Sequence, residues 1–217
     1  VPPAQPRRLA RCEEPAIRDF ITEGLTNGTL ESSKDAVFVS HIFTVPKPDG
    51  SRRVVTPFYS LNKFVRVGLL PAPDLPSLLQ KIQGRCFSRI DLKSGFFQVP
   101  VAEESRKYLG INTSMGQLRY KVLPMGLSIS PAAFQAYITY ILHEVLHKFG
   151  VIYIDDIIVF TESLEEHWIL VNEVLTKLQS GGVQLSKKKC LLGEQCLQVL
   201  GFIFSAEGRK ADPDRIR

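Results

Sequence analysis

The spacing of apolar residues predicts helices and strands that alternate along the whole chain. Ile17, Phe20, Ile21 and Leu25 recur at the intervals of one helix face, which predicts a first helix over residues 15–25. Apolar runs between turn residues predict strands at 37–45, 53–56, 86–92, 108–112 and 118–123, and apolar periodicity predicts further helices at 75–82 and 131–147. Interleaved helices and strands favour an α+β domain over a helical bundle or a β-sandwich.

A polar pair between two apolar runs marks the second half of the chain. Residues 151–154 and 157–160 flank Asp155 and Asp156, which predicts a buried hairpin with both carboxylates at its tip.

The next segment has the signals of a helix with defined ends. Ser163 and Glu166 have the spacing of a capping box, and Gly181 and Gly182 end the helix. The side chains predicted to face the core are Leu164, Trp168, Val171, Leu175 and Leu178. A last hairpin is predicted over 196–204.

Composition excludes several classes of protein. The 217 residues are 44% hydrophobic and 23% charged, which is typical of globular domains and excludes disordered or collagen-like chains. No apolar run approaches the roughly 18 residues that span a bilayer. Because the chain lacks an initiating Met and an apolar signal region, we expect it to be a segment of a longer protein.

Charge and cysteine content narrow the choice further. The net charge of +5 suits a nucleic-acid partner, although many other proteins share it. The four cysteines form no C-x-x-C pair, which argues against a zinc module and a disulfide scaffold and favours a reducing compartment: Cys12, Cys86, Cys190 and Cys196.

The carboxylates at the predicted hairpin tip are the strongest candidate for chemistry. Ionised carboxylates between apolar strands cost free energy unless a cation compensates them, whereas a solvated Asp turn is the alternative. Asp91 also ends an apolar strand, and strand-ending carboxylates from two segments would together bind hard cations. Two divalent cations about 3.5–4 Å apart suit in-line nucleotidyl transfer.

Four ordered motifs resemble those of reverse transcriptases. Tyr-Ile-Asp-Asp at 153–156 matches the Y-x-D-D signature, and 87–97 (FSRIDLKSGFF) resembles the first catalytic segment of the family. Residues 123–131 (LPMGLSISP) are similar to the L-P-x-G-x-x-x-S-P segment, and 199–208 resemble the segment that closes the palm. The order and spacing resemble the gypsy-type long-terminal-repeat retrotransposon and retroviral branch.

The resemblance implies a fold and a domain organisation. We expect an α+β fold with the fingers and palm of a right-hand polymerase, in which an antiparallel palm sheet packs on helices. Residues 1–35 would form an N-terminal extension and first helix, and 36–85 the fingers, with a contribution from 105–125. Residues 86–217 would form the palm, and the thumb, connection and RNase H domains would lie in the rest of the parent chain.

The resemblance also implies an activity and its partners. The enzyme would be an RNA-directed DNA polymerase that transfers nucleotides from dNTPs to a primer 3′-OH on RNA or DNA templates. Two Mg²⁺ ions, replaceable by Mn²⁺, would be its cofactors. Its partners would be primed template and dNTPs, with no membrane. We expect it in the cytoplasm, within virus-like particles of a retroelement.

Residue roles follow from the same resemblance. The catalytic and metal-binding residues would be Asp91, Asp155 and Asp156, with the Leu92 carbonyl as a further metal ligand. The dNTP would contact Lys47, Arg53, Ser94, Gly95, Phe96, Met125 and Gly126. Primer and template would contact Tyr153, Ile154, Leu200, Gly201 and Phe202. Phe96 would be a steric gate that excludes ribose, and the alternative is a core aromatic beside Phe97.

Two positions depart from the family pattern. Residues 57–59 are Pro-Phe-Tyr where the family usually has Asp-aromatic-Arg, which leaves open how the fingers are braced. Met125 stands where retroviral enzymes commonly carry Gln and gypsy-type enzymes often Phe.

Two other functions compete with the polymerase hypothesis. His143, Glu144 and His147 fit H-E-x-x-H, the pattern of a zinc metalloprotease helix, although His residues are also favoured in a last helical turn. The second alternative is an inert nucleic-acid-binding relic, against which the intact Asp91, Asp155 and Asp156 argue.

Overall fold

The computed structural model describes residues 10–66, 74–146 and 150–215, which fall into two units. The first unit contains the described residues of Val1–Leu69 and Phe96–Pro131, and the second those of Leu70–Gly95 and Ala132–Arg217. The boundaries of fingers and palm stay a prediction.

The elements follow one another in the alternating order that the apolar pattern predicts. In chain order they are α1 (Glu14–Thr26), β1 (Leu30–Ser32), β2 (Val39–His41), β3 (Phe43–Pro46), β4 (Arg52–Val55), α2 (Tyr59–Asn62), α3 (Leu75–Lys81), β5 (Cys86–Asp91), a 3₁₀ turn (Gly95–Gln98), α4 (Glu103–Arg106), β6 (Gly110–Thr113), β7 (Gly116–Tyr120), α5 (Ser130–Leu146), β8 (Gly150–Tyr153), β9 (Asp156–Thr161), α6 (Leu164–Ser180), β10 (Leu191–Glu194), β11 (Cys196–Val199), β12 (Phe202–Ser205), β13 (Gly208–Ala211) and a 3₁₀ turn (Pro213–Arg215).

The first unit combines a four-stranded sheet with a separate hairpin. The sheet has the order β1-β7-β6-β2, with β2 parallel to β6 and the other pairs antiparallel, and β3 pairs with β4 alone. Ile17 and Ile21 of α1 pack into its core with Ile111, Leu118 and Tyr120.

One predicted strand of this unit is wrong. The sequence predicted a single strand over 37–45, whereas the structure has β2 and β3 in different sheets. The side chain of Ile42, between them, is buried in the core. The chain passes from one sheet to the other at this residue, and an apolar run gives no signal for such a passage.

The second unit contains an antiparallel sheet with the order β10-β5-β9-β8 and a meander, β11-β12-β13. Helix α5 buries Phe134, Ile138 and Leu142 at four-residue spacing. The antiparallel sheet and the α+β class confirm the sequence prediction. No helix among the described residues is long and apolar enough to cross a membrane.

The predicted buried face of α6 is partly wrong. Leu164 and Trp168 are exposed, whereas the buried side chains are His167, Leu170, Val171, Val174 and Leu178. His167 can enter the interior because both of its ring nitrogens find hydroxyl partners there. The predicted cap is confirmed, since the Ser163 hydroxyl accepts a hydrogen bond from the Glu166 backbone N–H at 3.2 Å.

Candidate active site

Three carboxylates lie at one end of the two central strands, β5 and β9, of the second unit's sheet. Asp91 ends β5 and pairs in register with Asp156, the first residue of β9. Asp155 lies in the two-residue turn that joins β8 to β9. The prediction that both aspartates form the tip is wrong for Asp156, because the turn consists of Ile154 and Asp155. Like charges on directly paired residues repel each other.

Two of these carboxylates have a buried oxygen without a hydrogen bond. Within the described residues, the buried side-chain atoms that lack a hydrogen-bond partner are Asp91 Oδ1, Asp155 Oδ1 and Arg89 Nε. Lys189 Nζ lies 3.8 Å from Asp91 Oδ1, and Arg89 Nε lies 3.9 Å from Asp156 Oδ1. Both distances exceed hydrogen-bond length, so the two cations attract the carboxylates without satisfying these atoms. Unsatisfied buried oxygens are typical of a site that binds an ion or ligand.

The electrostatics of the site favour added positive charge. Burial raises the pKa of Asp155, and the negative charges of Asp156 and Asp91 raise it further, while Lys189 opposes them. Burial also raises the pKa of Asp156, which Arg89 opposes and Asp91 increases. Each shift shows that ionised carboxylates are costly here, and a bound cation would remove that cost.

The turn that carries Asp155 is held in a strained conformation by Gln135 of α5. Ile154 has a φ of 54°, which is unfavourable for a β-branched residue. The Ile154 backbone N–H donates to Gln135 Oε1 at 2.7 Å, and Gln135 Nε2 donates to the Ile152 carbonyl at 3.0 Å. One amide side chain therefore satisfies the N–H of the strained residue itself and the carbonyl two positions before it.

Backbone strain coincides with the predicted site. The non-glycine residues with positive φ in the described part of the chain are Ser94, Ile154 and Leu200, and the sequence motifs assign all three to the site. Such strain persists only where surrounding contacts enforce it and clusters at functional sites. Leu200 and Gly201, with φ of 55° and 82°, form the turn between β11 and β12, followed by the half-buried Phe202.

The segment after Asp91 approaches the carboxylates closely. A Cβ atom on Gly95 would lie 3.0 Å from Asp155 Oδ1 and 2.8 Å from the Phe134 ring, so only glycine fits without a shift. Leu92 forms an antiparallel bridge with Leu185, which fixes the backbone directly after Asp91. The structure thus brings Asp91, Asp155, Asp156 and Gly95 together.

The predicted triphosphate residues Lys47 and Arg53 lie on the β3–β4 hairpin of the first unit. The hairpin turn is closed by the Lys47 N–H, which donates to the Ser51 carbonyl at 2.8 Å. The Asp49 carboxylate accepts from the Ser51 N–H and hydroxyl at 2.9 and 2.6 Å. Arg53 is exposed and Lys47 is half-buried.

Met125 and Gly126 lie in a loop that Asn62 holds. Asn62 Nδ2 donates to the Gly126 carbonyl at 3.1 Å, and Asn62 Oδ1 accepts from the Ser128 N–H at 2.9 Å. Gly126 has a φ of 93°, and an added Cβ would lie 2.1 Å from the Thr56 carbonyl oxygen. Only glycine therefore fits this loop.

Phe96 and Tyr153 are half-buried. Phe96 lies in the 3₁₀ turn at Gly95–Gln98, where its neighbour Phe97 packs against Phe20 and Tyr120 in the core of the first unit. Tyr153 ends β8 and pairs with Asp156.

The described residues of the zinc protease alternative have other partners, and within the described part of the chain they form no group that could hold a metal ion. Glu144 is ion-paired with Lys177 at 2.5 Å, and His143 Nδ1 lies 3.0 Å from the Tyr140 carbonyl oxygen. His147 lies outside the described residues. His167 has both ring nitrogens engaged, at 2.6 Å from the Ser88 hydroxyl and 3.0 Å from the Thr161 hydroxyl. These contacts leave Glu144 and His167 committed to structural partners.

Sequence reasoning missed the side chains that brace the site. Gln135 had a usable signal, because it is an amide within an otherwise apolar helical run. Lys189 had none, since it is one of three consecutive lysines at 187–189. Asn62 was visible only as part of the Leu-Asn-Lys segment, without an indication of what it holds.

Comparison with known proteins identifies the family. The family model described as reverse transcriptase (RNA-dependent DNA polymerase) matches residues 45–204. The chain therefore belongs to the reverse transcriptase family, as the four motifs predicted. The Tf2-7 and Tf2-3 transposon polyproteins of Schizosaccharomyces pombe are each 34% identical to it over 194 residues, 89% of this chain. The chain spans only 14% of the length of these relatives.

Solved structures show the same fold. A foamy viral protease-reverse transcriptase in complex with double-stranded DNA matches with a TM-score of 0.89 and 29% identity, over 98% of this chain and 37% of that one. The foamy viral enzyme in complex with an RNA/DNA hybrid matches with a TM-score of 0.90 and 27% identity, over 98% and 28%. The predicted fold class, that of polymerase fingers and palm, is confirmed.

Proposed function

We propose that this chain carries out templated DNA synthesis by adding deoxynucleotides to a primer 3′-OH, on RNA or DNA templates. The observation that carries the proposal is the pair of buried, unsatisfied oxygens on Asp91 and Asp155, at the sheet edge of a reverse transcriptase family member. An inert relic of the family would have no reason to keep this arrangement, which costs free energy without a ligand.

The carboxylates of the site fit Mg²⁺ if the phosphates of the substrate supply further ligands. Among the described residues, no group of three or more His, Cys, Asp and Glu side chains is arranged to hold a metal ion alone. Mg²⁺ usually takes one or two carboxylates together with substrate phosphates, so Asp91 and Asp155 would hold it, assisted by Asp156 and the Leu92 carbonyl. When bound, two Mg²⁺ or Mn²⁺ ions would activate the primer hydroxyl and neutralise the pyrophosphate.

The remaining roles concern the substrates. Lys47 and Arg53 would bind the triphosphate, since an ammonium and a guanidinium both suit phosphate oxygens. The backbone N–H groups of Ser94 and Gly95 would donate to the same phosphates. The other contacts would divide between the incoming nucleotide (Met125, Gly126) and the primer and template (Tyr153, Ile154, Leu200, Gly201, Phe202).

Phe96 would select deoxyribose by filling the space that a ribose 2′-OH needs. Phe96→Ala should then raise ribonucleotide incorporation relative to deoxynucleotide incorporation by about ten-fold or more. Phe97→Ala is the matched control, because Phe97 packs in the core and its loss should lower stability without changing sugar selection. Equal sugar selection by Phe96→Ala and the parent protein would show that Phe96 is only a packing residue.

The whole protein would be longer than this chain, as its polyprotein relatives are. We propose that thumb, connection and RNase H domains accompany it and that primed RNA or DNA is its partner, as in the nucleic-acid complexes of the foamy viral enzyme. Binding should weaken with salt because the chain carries a net charge of +5. A cytoplasmic location within virus-like particles belongs to the same proposal.

Primer extension with Mg²⁺ tests the proposal. The parent protein and Asp19→Asn, an exposed aspartate on α1, should both extend a labelled DNA primer on an RNA template. Asp155→Asn should be at least about 1,000-fold slower, because it removes a metal ligand worth several kcal/mol. Full activity of Asp155→Asn would refute the carboxylate assignment. Absence of extension by the complete parent protein would favour the inert relic.

A further inference from the structure

A buried carboxylate in the first unit holds the hairpin that carries Lys47 and Arg53. Glu13, directly before α1, is 5% exposed. Its Oε1 accepts from the Thr44 backbone N–H at 3.1 Å and from the Thr44 hydroxyl at 3.2 Å. Its Oε2 accepts from the Ala10 N–H at 3.1 Å. The carboxylate therefore links the start of α1 to β3, 31 residues away in sequence.

The direction of the hydrogen bonds connects this carboxylate to a cation. Arg52 Nε donates to the Thr44 hydroxyl oxygen at 2.5 Å, so the hydroxyl hydrogen is available for Glu13 Oε1. The resulting chain runs from guanidinium to hydroxyl to carboxylate. Each bond in it is strengthened by a charge at its end. Because Thr44 and Arg52 lie on the two strands of the hairpin, the chain fixes both strands.

Backbone pairing does not fix the position of this hairpin in its unit. It forms a two-stranded sheet of its own, whereas the neighbouring β2 is bonded into the four-stranded sheet. Isolated two-stranded hairpins are marginal in stability. Backbone ladder bonds thus cannot align β3–β4 with the rest of the unit, and the alignment depends on side-chain contacts such as that of Glu13.

The two faces of the hairpin have different surroundings. Thr44 pairs with Val54, and their shared face meets Glu13 and the core of the unit. Val45 pairs with Arg53 on the opposite face, and both of these residues are exposed. Since side chains alternate strictly along a strand, fixing Thr44 fixes the direction in which Arg53 points.

We propose that Glu13 is a positioning residue for the incoming triphosphate, which it serves by fixing the hairpin that presents Lys47 and Arg53. This inference depends on the proposed function. Residues 57–59 are Pro-Phe-Tyr in place of the usual Asp-aromatic-Arg, which left open how the hairpin is braced. Under this proposal the N-terminal segment supplies the brace.

The test compares Glu13→Gln with Glu14→Gln in the complete parent protein. Glu14 is the exposed neighbour, and its variant should behave as the parent does. Glu13→Gln should raise the KM for dNTP about 10- to 100-fold, as expected for the loss of a well-placed charged hydrogen bond. Its kcat and its affinity for primer–template should change less than about two-fold, a division that general destabilisation would not produce.

A second readout does not depend on activity. Amide hydrogen exchange of residues 43–55 should become faster in Glu13→Gln and stay unchanged in Glu14→Gln, while the sheet of the second unit keeps its protection. If Glu13→Gln fails to fold, Thr44→Val decides, because it removes only the hydroxyl link and retains the Thr44 N–H bond. Thr44→Val should raise the KM for dNTP and the exchange rate in the same way.

The outcomes separate the two proposals. Unchanged exchange and an unchanged KM in Thr44→Val, or equal effects of Glu13→Gln and Glu14→Gln, would overturn the role of Glu13. A parent protein without polymerase activity would overturn the proposed function and, with it, the triphosphate role. If hydrogen exchange of residues 43–55 in Glu13→Gln were still faster in that case, Glu13 would have a structural role only.

Discussion

Two loops of the molecule are held by the same kind of side-chain amide, but they differ in charge and in whether a buried polar atom lacks a hydrogen bond. Gln135 holds the Ile154–Asp155 turn in the second unit, and Asn62 holds the Met125–Gly126 loop in the first. In each case a side-chain amide accepts from one backbone N–H and donates to one carbonyl. The Met125–Gly126 loop carries no charge, whereas the turn carries Asp155, whose Oδ1 is buried without a hydrogen bond.

The difference shows where the protein leaves interactions incomplete. In each loop the amide satisfies two backbone groups, which holds the loop without a ligand. Two of the three buried side-chain atoms without a hydrogen bond in the described residues are carboxylate oxygens, on Asp91 and Asp155, where a cation would bind. A rigid backbone with unsatisfied carboxylates is what a preorganised metal site requires, because the ligand then meets little reorganisation cost.

The largest expected effect on stability concerns the uncharged Met125–Gly126 loop. Gly126→Ala should destabilise the protein by about 2–4 kcal/mol, because a Cβ would meet the Thr56 carbonyl at 2.1 Å in a strained backbone conformation. Gly50→Ala is the control: Gly50 has a φ of 80° but no atom within 4 Å, so its cost should be only about 1 kcal/mol. Urea unfolding measures both, and equal losses would show that the close approach is unimportant.

The next effect concerns the charged turn. Gln135→Ala leaves the Ile154 N–H and the Ile152 carbonyl without their partner and should cost about 1–3 kcal/mol. The Ile154 amide should exchange faster, and primer extension should fall. Gln179→Ala, at an exposed position on α6, is the control and should change neither. Normal protection of the Ile154 amide in Gln135→Ala would contradict the role of this side chain.

The third effect is an increase in stability rather than a loss. Asp155→Asn should stabilise the metal-free protein by about 0.5–1 kcal/mol, since it removes a half-buried negative charge next to Asp156 and Asp91. Thermal unfolding without divalent cations should show a Tm increase of about 1–4 °C. Asp19→Asn should leave the Tm unchanged. A lower Tm for Asp155→Asn would mean that the carboxylate already has a stabilising partner.

The last effect concerns the dependence of stability on pH. Burial lowers the pKa of His167 below its ordinary value of 6.5, so between these two pKa values the unfolded chain binds a proton that the folded chain does not. This contribution to stability is present above pH 6.5 and is lost as pH falls, by at most about 1.4 kcal/mol per pH unit.

Variants isolate this contribution. His167→Gln should show a shallower loss of unfolding free energy between pH 7 and pH 5 than the unsubstituted protein, and Gln179→Ala, at an exposed site on the same helix, should keep the unsubstituted protein's slope. Identical slopes for all three proteins would show that His167 titrates alike in the folded and unfolded chains.

The sequence predicted what depends on local pattern. The strand at 86–92, the hairpin around 155 and the helix ending at Gly181 agree with β5, β8–β9 and α6, because periodicity and turn residues act within a few positions. The carboxylates and the Y-x-D-D match indicate the family for the same reason, since each motif occupies a short continuous stretch of the chain.

What the sequence could not predict depends on contacts distant along the chain. The α6 sequence contains two overlapping apolar stripes, and hydroxyls on β5 and β9 favour the one with His167. Glu13 meets Thr44 across 31 residues, and a single polar residue has no periodic signal. The sequence predicts Asp156 at the tip of the hairpin, because nothing in it shows that Ile154 adopts a positive φ.

Cation binding at the carboxylates tests the central claim most directly. Mn²⁺ titration followed by electron paramagnetic resonance, with a chain-terminated primer–template and dNTP present, would count bound ions in the parent protein, Asp91→Asn and Asp19→Asn. We expect the parent protein and Asp19→Asn to bind alike and Asp91→Asn to bind at least about ten-fold more weakly, a loss of about 1.4 kcal/mol or more. Equal binding by Asp91→Asn would contradict the assignment of these carboxylates as a metal site.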